Sequence, residues 1–307
     1  MFDNNPDEHY LKQGNPKKPT YYIIRYLDEA ANLSDIYRMT AGHIYYALSK
    51  SWLPVVDMKN YPNQYLSPEK LGVENSWEYY FEQPLKISLE QAYNGKNIIL
   101  SDGNKVEPYP DYSLNLLRQV DDRLTEWRML VKWDFLKIKS ELTDEIKGLQ
   151  EELLLPKERV LGVLLRGKNY PQKKVAGQPI TPSAEFAANV VAIKFKEWKC
   201  KKIFLMTEDH SVVEIFKNKF EDKCILLDQL DVECYDSDTT TELEHNEQGN
   251  EFFLRGKKYL MQMLLLSACD SLIAERCGDA TNALLMAKKF SNVHLFNLGN
   301  YGMINID

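Results

Sequence analysis

The chain has 307 residues, of which 44% are hydrophobic and 27% are charged, and it carries a formal net charge of −7. This composition is that of an ordinary globular protein, with enough chain for one large domain or two of about 150 residues. The acidic balance argues against nucleic acid as the main partner, because phosphate binding needs a net basic face. No apolar run approaches the ~18 to 20 residues that span a bilayer, and the polar first residues do not form a signal peptide. We therefore expect a cytoplasmic protein without a transmembrane segment.

The cysteines and histidines show no metal-binding spacing. The five cysteines are odd in number and contain no CxxC pair, so we interpret them as reduced thiols rather than as disulfides or zinc ligands. The five histidines are scattered along the chain. The sequence therefore predicts neither a metal site nor a cofactor.

The first third of the chain predicts short strands and helices behind a polar arm. Residues 1–20 are polar and contain Pro6 and Pro16, which indicates a loose arm. The elements predicted after it are a strand or helix start at 21–26, a helix at 33–49, a strand at 52–58, a helical segment at 88–93 and a strand at 97–100. Pro54 places the second of these strands near a sheet edge, because proline cannot donate a ladder hydrogen bond.

A strongly helical pattern follows, from residue 113 to about residue 154. Apolar side chains from Leu117 to Ile146 recur every three or four residues, with charges between them. One helix of about 40 residues would be unusual in a globular domain, so the pattern predicts two helices or a kink near Ser140 or Gly148. We interpret the aromatic side chains of this stripe as core.

After Pro156 the sequence alternates helices with strands that are apolar on both faces. The predicted strands are 159–165, 201–207, 224–228, 271–275 and 293–299, and the predicted helices are 182–198, 211–220, 252–268 and 283–290. The acidic segment 235–249 predicts a surface loop. The alternation predicts an α/β fold with a C-terminal, doubly wound parallel sheet. Residues 21–155 and 156–307 are the two predicted domains.

Ligands of such sheets bind beyond the carboxyl ends of the strands, and the first of these ends carries positive charge. Arg166, Gly167 and Lys168 follow the first predicted strand of the C-terminal half. Glycine permits close backbone approach, a guanidinium can hold two phosphate oxygens, and lysine adds a point charge. The turn therefore predicts an anion site, and a basic surface loop is the alternative.

The two other strand ends combine acids, hydroxyls and small residues. Thr207, Glu208 and Asp209 end the second strand, where the acids can bind sugar hydroxyls, orient the arginine or begin a helix, and Asp209 or Ser211 would suit the helix start. Segment 275–281 contains Arg276, Cys277 and Gly278, and small residues that open a helix can admit a phosphate at its N-terminus. Asp279 in the same segment opposes such binding.

The familiar short motifs of several enzyme classes are missing from the sequence. It contains no GxGxxG, GxxxxGK[ST], GxSxG or HExxH motif. Dinucleotide oxidoreductases, P-loop proteins, hydrolases with a nucleophile elbow and zinc proteases therefore lose their main support.

Four segments of the C-terminal half carry a family resemblance. RVLGVLLRGKNY, QPITPSAEF, KKIFLMTEDHSVVEIFKNKF and LLLSACDSLIAERCGDATNALLMA resemble, in order and spacing, the donor half of fucosyltransferase-like bacterial glycosyltransferases linked to capsule, O-antigen or other surface glycans. WLPVVDMKNYPNQYL and ENSWEYYFEQP resemble their acceptor half. The resemblance covers roughly residues 49–302.

The resemblance implies a GT-B fold, in which two Rossmann-like domains face a cleft. Residues 21–155 would form the acceptor-side domain and 156–307 the nucleotide-sugar donor domain. Such enzymes transfer fucose from GDP-fucose without a metal and invert the anomeric centre. The implied acceptor is a glycan or a lipid-linked saccharide, with peripheral contact at the inner face of the membrane.

The resemblance also assigns roles to individual residues. Arg166 would neutralise the donor pyrophosphate, together with the neighbouring Gly167 and Lys168. Thr207, Glu208 and Asp209 would line the cleft, and one of the two acids would take the acceptor proton. The remaining implied donor contacts are Gln262, Arg276, Cys277 and Gly278.

Several positions depart from the family pattern. Lys168 and Asn169 replace a threonine and an aspartate, and Gln178 replaces a histidine. Gln262 stands where an acid usually reads the base, and Cys277, Gly278 and Asp279 replace a hydroxyl-glycine element. These departures leave a second interpretation open, in which the chain is a catalytically silent binding or scaffold protein with the same fold.

Overall fold

The computed structural model describes residues 9–106, 110, 122–132, 135–153, 158–166, 176–227 and 251–302. The chain folds into two compact units. Of the described residues, those up to 144 and those at 251–260 belong to unit 1, and those between 145 and 227 and at 261–302 belong to unit 2.

The strands and helices are numbered separately, each in chain order. The strands are β1 (His9–Lys12), β2 (Thr20–Arg25), β3 (Leu53–Asp57), β4 (Asn97–Leu100), β5 (Val160–Leu165), β6 (Lys202–Thr207), β7 (Cys224–Ile225), β8 (Ser271–Glu275) and β9 (Asn292–Phe296). The α-helices are α1 (Leu33–Ser49), α2 (Trp77–Tyr80), α3 (Leu89–Tyr93), α4 (Asp122–Lys132), α5 (Ser140–Leu153), α6 (Ala184–Glu197), α7 (His210–Phe220), α8 (Glu251–Ala268) and α9 (Gly278–Met286).

Unit 1 contains a four-stranded sheet in the order β1-β4-β2-β3. β2 pairs in parallel with β3 and β4, and β3 lies at the edge, as Pro54 predicts. β1 pairs antiparallel with β4, with His9 opposite Leu100. The prediction of a loose arm is therefore wrong for His9–Lys12, because backbone pairing with β4 orders four residues that are all exposed.

The predicted helices of unit 1 are confirmed where the structure describes them. α1 begins and ends at the predicted residues, and the Asn32 side chain caps it by accepting the Asp35 amide at 2.9 Å. The long helical pattern divides into α4 and α5, with a break before Ser140 and none at Gly148. Residues 113–121 of that pattern lie outside the described residues.

The first ten residues of helix α8 belong to unit 1, where Tyr80 contacts them. The Tyr80 ring stacks on Phe253 with centroids 5.7 Å apart and an interplanar angle of 2°. The Tyr80 hydroxyl lies 3.0 Å and 2.9 Å from the carbonyl oxygens of Phe252 and Phe253 and donates to this pair. This close approach needs a glycine at position 256, where a Cβ would lie 2.3 Å from Tyr80 Cζ.

Unit 2 contains a five-stranded sheet in the order β7-β6-β5-β8-β9. Every pair in it is parallel, as the alternation of strands and helices predicts. β5 is buried at all six positions and lies between β6 and β8. In chain order, β6 and β7 are added on one side of β5, and β8 and β9 are added later on its other side.

Both faces of β5 are covered. Leu161, Val163 and Leu165 pack in one core with buried residues of α6 and α7, among them Val191 and Phe216. Because neighbouring residues of a strand point to opposite faces, Gly162 lies on the other face. There a Cβ at Gly162 would lie 2.8 Å from Leu266 Cδ1 and 3.4 Å from Cys269 Sγ.

The remaining predictions for unit 2 differ from the structure mainly at element ends. β7 has two residues instead of the predicted five, and α9 begins at Gly278 instead of residue 283. The predicted surface loop 235–249 lies outside the described residues. Within the described part of the chain, none of the helices combines the length and the apolar character needed to cross a bilayer.

Gly256→Ala tests the contact between Tyr80 and α8. The new methyl group meets a rigid, fully buried ring, so we expect a loss of about 1 to 3 kcal/mol in the free energy of unfolding, measured by urea denaturation. Gly148→Ala is the matched control, because Gly148 is also helical but exposed and has no neighbour within 4 Å. It should stabilise the protein by about 0.5 to 1 kcal/mol. Equal stability of the two variants would contradict the proposed contact.

Candidate functional site

Three neighbouring strand ends of unit 2 carry the polar residues that the sequence singles out. β6, β5 and β8 are adjacent and parallel, so their carboxyl ends meet at one edge of the sheet. Thr207 ends β6, Arg166 follows β5, and Glu275 ends β8. The topology thus brings the three predicted ligand segments together.

A hydrogen bond between Arg166 and Glu275 joins the ends of β5 and β8. The Arg166 amide donates to Glu275 Oε1 at 3.1 Å. Glu275 is only 4% exposed, and its Oε2 atom has no hydrogen-bond partner among the described residues. A carboxyl group with one satisfied oxygen and one buried, unsatisfied oxygen is costly in a protein interior.

The surroundings of Glu275 favour its protonated form. Burial raises the pKa of this carboxyl to about 7, against the opposing effects of the Arg166 amide and the Arg166 charge. Removing a carboxylate from water penalises its charged form more than these contacts compensate. Near neutral pH a substantial fraction of the group is therefore protonated.

Glu208 and Asp279 add two further carboxyl groups to the same edge. The Glu208 side chain is exposed, yet the protein atoms around it remove part of its hydration, and this desolvation raises its pKa. The Asp279 carboxylate raises that pKa further, whereas the Arg166 guanidinium lowers it. The group of Arg166, Glu208, Glu275 and Asp279 is called the acid-arginine cluster below.

The Asp209 side chain accepts hydrogen bonds at the start of α7. Its Oδ1 atom accepts hydrogen bonds from the Ser211 amide at 2.8 Å and from the Ser211 hydroxyl at 2.7 Å. The Thr207 hydroxyl in turn accepts the Asp209 amide at 3.2 Å. Asp209 is therefore the N-cap of α7, one of the alternatives that the sequence leaves open.

The turn between β8 and α9 places Cys277 and Gly278 in the interior. Both residues are buried, and Cys277 is the N-cap position of α9 without a side-chain capping bond. Burial raises the pKa of the Cys277 thiol to about 11, while Arg166 lowers it and Asp279 raises it. Cys277 is thus an uncharged thiol at neutral pH and a weak candidate for a nucleophile.

Arg276 contacts the segment after β9. Its Nη1 group donates to Asn297 Oδ1 at 3.2 Å and to Asn300 Oδ1 at 3.3 Å. Its Nε atom is buried without a hydrogen-bond partner in the described part of the chain. These contacts fix the guanidinium beside the two asparagines, and its placement beside a phosphate stays a prediction.

The other predicted donor contacts are only partly visible. Gln262 is partly buried in α8, within the residues that belong to unit 2, and Gln178 is exposed. Gly167, Lys168 and Asn169 lie outside the described residues. No set of three or more histidine, cysteine or acidic side chains among the described residues has the arrangement of a metal site.

Glu275 is the functional candidate that sequence reasoning misses. It appears in the sequence as the last residue of an apolar strand that opens the third predicted ligand segment. Its charge in an otherwise apolar strand was the available signal. The bond to Arg166 follows only from the parallel register of β5 and β8, in which Leu164 pairs with Ala274.

Comparison with known proteins finds similarity at the level of structure. No family model matches the chain, and no curated protein is similar to it in sequence. A structure of the α-1,6-fucosyltransferase NodZ soaked with GDP-fucose is 16% identical, with a TM-score of 0.53 over 92% of this chain and 97% of that chain. NodZ from Bradyrhizobium is 15% identical, with a TM-score of 0.54 over 87% and 94%. NodZ co-crystallised with GDP is 14% identical, with a TM-score of 0.51 over 87% and 93%.

These similarities span nearly all of both chains and concern the fold. The chain has a fucosyltransferase-like GT-B fold, as the sequence resemblance implies. At this level of identity the comparison shows the fold and does not by itself assign a reaction to this chain.

Glu275→Gln tests the burial of the carboxyl group. Since the native state holds the proton more tightly than the unfolded chain does, the carboxyl contributes stability that is lost as pH rises from about 4.5 to about 7. Glutamine keeps the oxygen that accepts the Arg166 amide and does not titrate. The variant should therefore be more stable than the parent at pH 8, by up to ~3 kcal/mol in the free energy of unfolding, and it should gain less at pH 5. The melting temperatures of the two proteins at the two pH values are the measurement.

The control for this comparison is Glu214→Gln, at an exposed position of α7. It should change the melting temperature little. A Glu275→Gln gain that is equal at pH 5 and pH 8 would show that the carboxyl does not titrate in this range.

Proposed function

We propose that the chain is a glycosyltransferase that takes a nucleotide-sugar donor of the GDP-fucose type and transfers the sugar to a glycan or lipid-linked saccharide. In this proposal unit 2 holds the donor on a doubly wound sheet and unit 1 serves the acceptor, as the two domains of a GT-B enzyme do. The solved structures of similar fold are fucosyltransferases, one soaked with GDP-fucose and one crystallised with GDP. The resemblance in sequence favours a role in surface polysaccharide synthesis.

The observation that carries the proposal is the position of Arg166. It follows the central strand β5 at the place where the strand order extends to both sides, which is where open α/β sheets bind their ligands. A guanidinium there can neutralise the charge that develops on a leaving nucleoside diphosphate. The acids around it are suited to hydroxyl groups of a sugar.

The proposed reaction is an inverting transfer with Glu208 as the base. The acceptor oxygen attacks the anomeric carbon, the bond from that carbon to the diphosphate oxygen breaks, and the acceptor proton passes to the base. Glu208 suits this role because desolvation and Asp279 raise its pKa towards neutrality, where a general base works best. Asp209 is committed to the cap of α7 and is the weaker candidate.

The second candidate function is a silent binding or scaffold protein. The observation that favours it is the accumulation of negative charge, since the carboxyl groups of Glu208, Glu275 and Asp279 all lie near Arg166. Three carboxylates would oppose a diphosphate unless one of them is neutral. Under this alternative, Lys168→Thr, Asn169→Asp and Gln178→His together should create donor binding that the parent lacks.

Arg166→Ala tests donor binding. GDP-fucose, GDP and a panel of UDP-sugars are added to the parent, and the proposal predicts that at least one nucleotide raises the melting temperature. A ligand at 100 times its Kd adds about 2.7 kcal/mol of stability. The variant should lose this gain, because its site lacks the guanidinium.

Arg159→Ala is the control, since Arg159 is exposed and precedes the amino end of the same strand. It should retain the shift. If no nucleotide or nucleotide sugar raises the melting temperature of the parent, the proposed function is wrong.

Glu208→Gln and Asp209→Asn test the assignment of the base. The readout is release of GDP from GDP-fucose with water as acceptor, which needs no knowledge of the natural acceptor. Glu208→Gln should lower kcat by roughly 10² to 10⁴, the usual value of a general base. Asp209→Asn should stay within a few fold of the parent, because asparagine also caps helices well. The opposite ranking would assign the base to Asp209.

A further inference from the structure

Glu275 affects how the proposed donor site binds a diphosphate. This inference rests on the proposed function. Glu275 lies where β5 and β8 end side by side, at the point from which the strand order extends in both directions. Its Oε1 atom is occupied by the Arg166 amide, and its Oε2 atom is buried and unpartnered among the described residues. A buried oxygen without a hydrogen-bond partner, at the edge where α/β sheets bind ligands, is a candidate contact for a ligand.

The chemistry of that contact depends on the proton. As a carboxylate, Oε2 could only accept a hydrogen bond, and it would repel a phosphoryl oxygen. As a neutral acid, Oε2 carries the proton and becomes a donor, while Oε1 continues to accept the Arg166 amide. A neutral carboxyl group therefore satisfies both oxygens at once when an anion binds.

The charges around Glu275 support the neutral form. Among the described residues, Arg166 at the end of β5 is the cation that acts on its carboxyl group, and Glu208 after β6 and Asp279 in α9 are acids of the same cluster. The Cys277 thiol also faces Arg166 and is uncharged at neutral pH. On β9 the register partner of Glu275 is Phe296, which does not titrate, and the Arg276 guanidinium contacts Asn297 and Asn300 instead.

A bound diphosphate would add negative charge to this cluster. The Arg166 guanidinium balances only part of the charge of a diphosphate and three carboxylates, and the buried carboxyl is the group whose charge is least solvated. Since its pKa in the free protein is already near 7, the arrival of an anion shifts it further towards protonation.

We propose that Glu275 binds the diphosphate of the nucleotide sugar as the uncharged acid, with Oε2 donating its proton to a phosphoryl oxygen, so that donor binding takes up a proton from solvent. The residue acts as a positioning and charge-balancing group and takes no part in bond making. Donor affinity is consequently higher below pH 7 than above it.

The test is titration calorimetry with GDP-fucose in pairs of buffers that differ in ionisation enthalpy. The phosphates of a nucleotide sugar lose their protons far below neutral pH, so any proton taken up near neutrality belongs to the protein. At pH 7.5 we expect roughly half to one proton per nucleotide sugar, and the affinity should fall about tenfold between pH 6 and pH 8.

Glu275→Gln is the decisive variant, because its amide imitates the neutral acid in shape and in hydrogen bonding. It should bind GDP-fucose within a few fold of the parent at pH 6, take up no proton and show a flat affinity between pH 6 and pH 8. Glu208→Gln is the comparison variant in the same cluster, and proton uptake remains in it if the proton belongs to Glu275. Glu214→Gln, at an exposed position of α7, is the control and should leave proton uptake and affinity unchanged.

The outcomes separate this inference from the proposed function. No binding of any nucleotide sugar by the parent overturns both. Binding by the parent without proton uptake overturns only the inference, whatever the variants do. Uptake that survives in Glu275→Gln, or that disappears in Glu208→Gln instead, assigns the proton to another group and overturns it as well.

Discussion

The parallel pairing of β5 with both β6 and β8 is the constraint on which the rest of unit 2 depends. β5 is the middle strand of five, and residues more than 100 positions further along the chain return to pair with it. This pairing buries every residue of the strand and sets its end beside two other strand ends. The bond from the Arg166 amide to Glu275 is a direct product of that register. Without β8 in place, Arg166 would follow an edge strand, and no buried carboxyl would face it.

Much of this fold can be predicted from local sequence patterns. Strands that are apolar on both faces and alternate with helices indicate a parallel sheet, and the observed β5, β6 and β8 lie within one or two residues of the predicted bounds. β1 could not be found in this way, because all four of its residues are exposed and only their pairing with β4 makes them a strand. The two-residue β7 is similarly defined by its neighbour β6 and not by its own apolar run.

The location of the candidate site could be predicted from the sequence, but the orientation of its side chains could not. The rule that ligands bind beyond strand ends selects Arg166, Glu208 and the turn after β8 from sequence alone. That rule does not decide between a capping and a ligand-binding role for Asp209, although the sequence indicates Asp209 or Ser211 as a helix start. The distinction comes from the direction of each side chain, and Asp209 turns to Ser211. Burial of Glu275 likewise depends on strands that are remote in sequence.

The second face of β5 has a consequence for how the sheet can be studied. Cys269 is buried beside Leu266 over Gly162, and burial raises the pKa of its thiol far above the usual value. A thiol reagent therefore reaches it only when the end of α8 lifts from the strand, so its rate of modification reports local opening. Cys269 can therefore report local opening beside β5, the strand that precedes Arg166. Opening on that face can be followed at this position without any label being introduced.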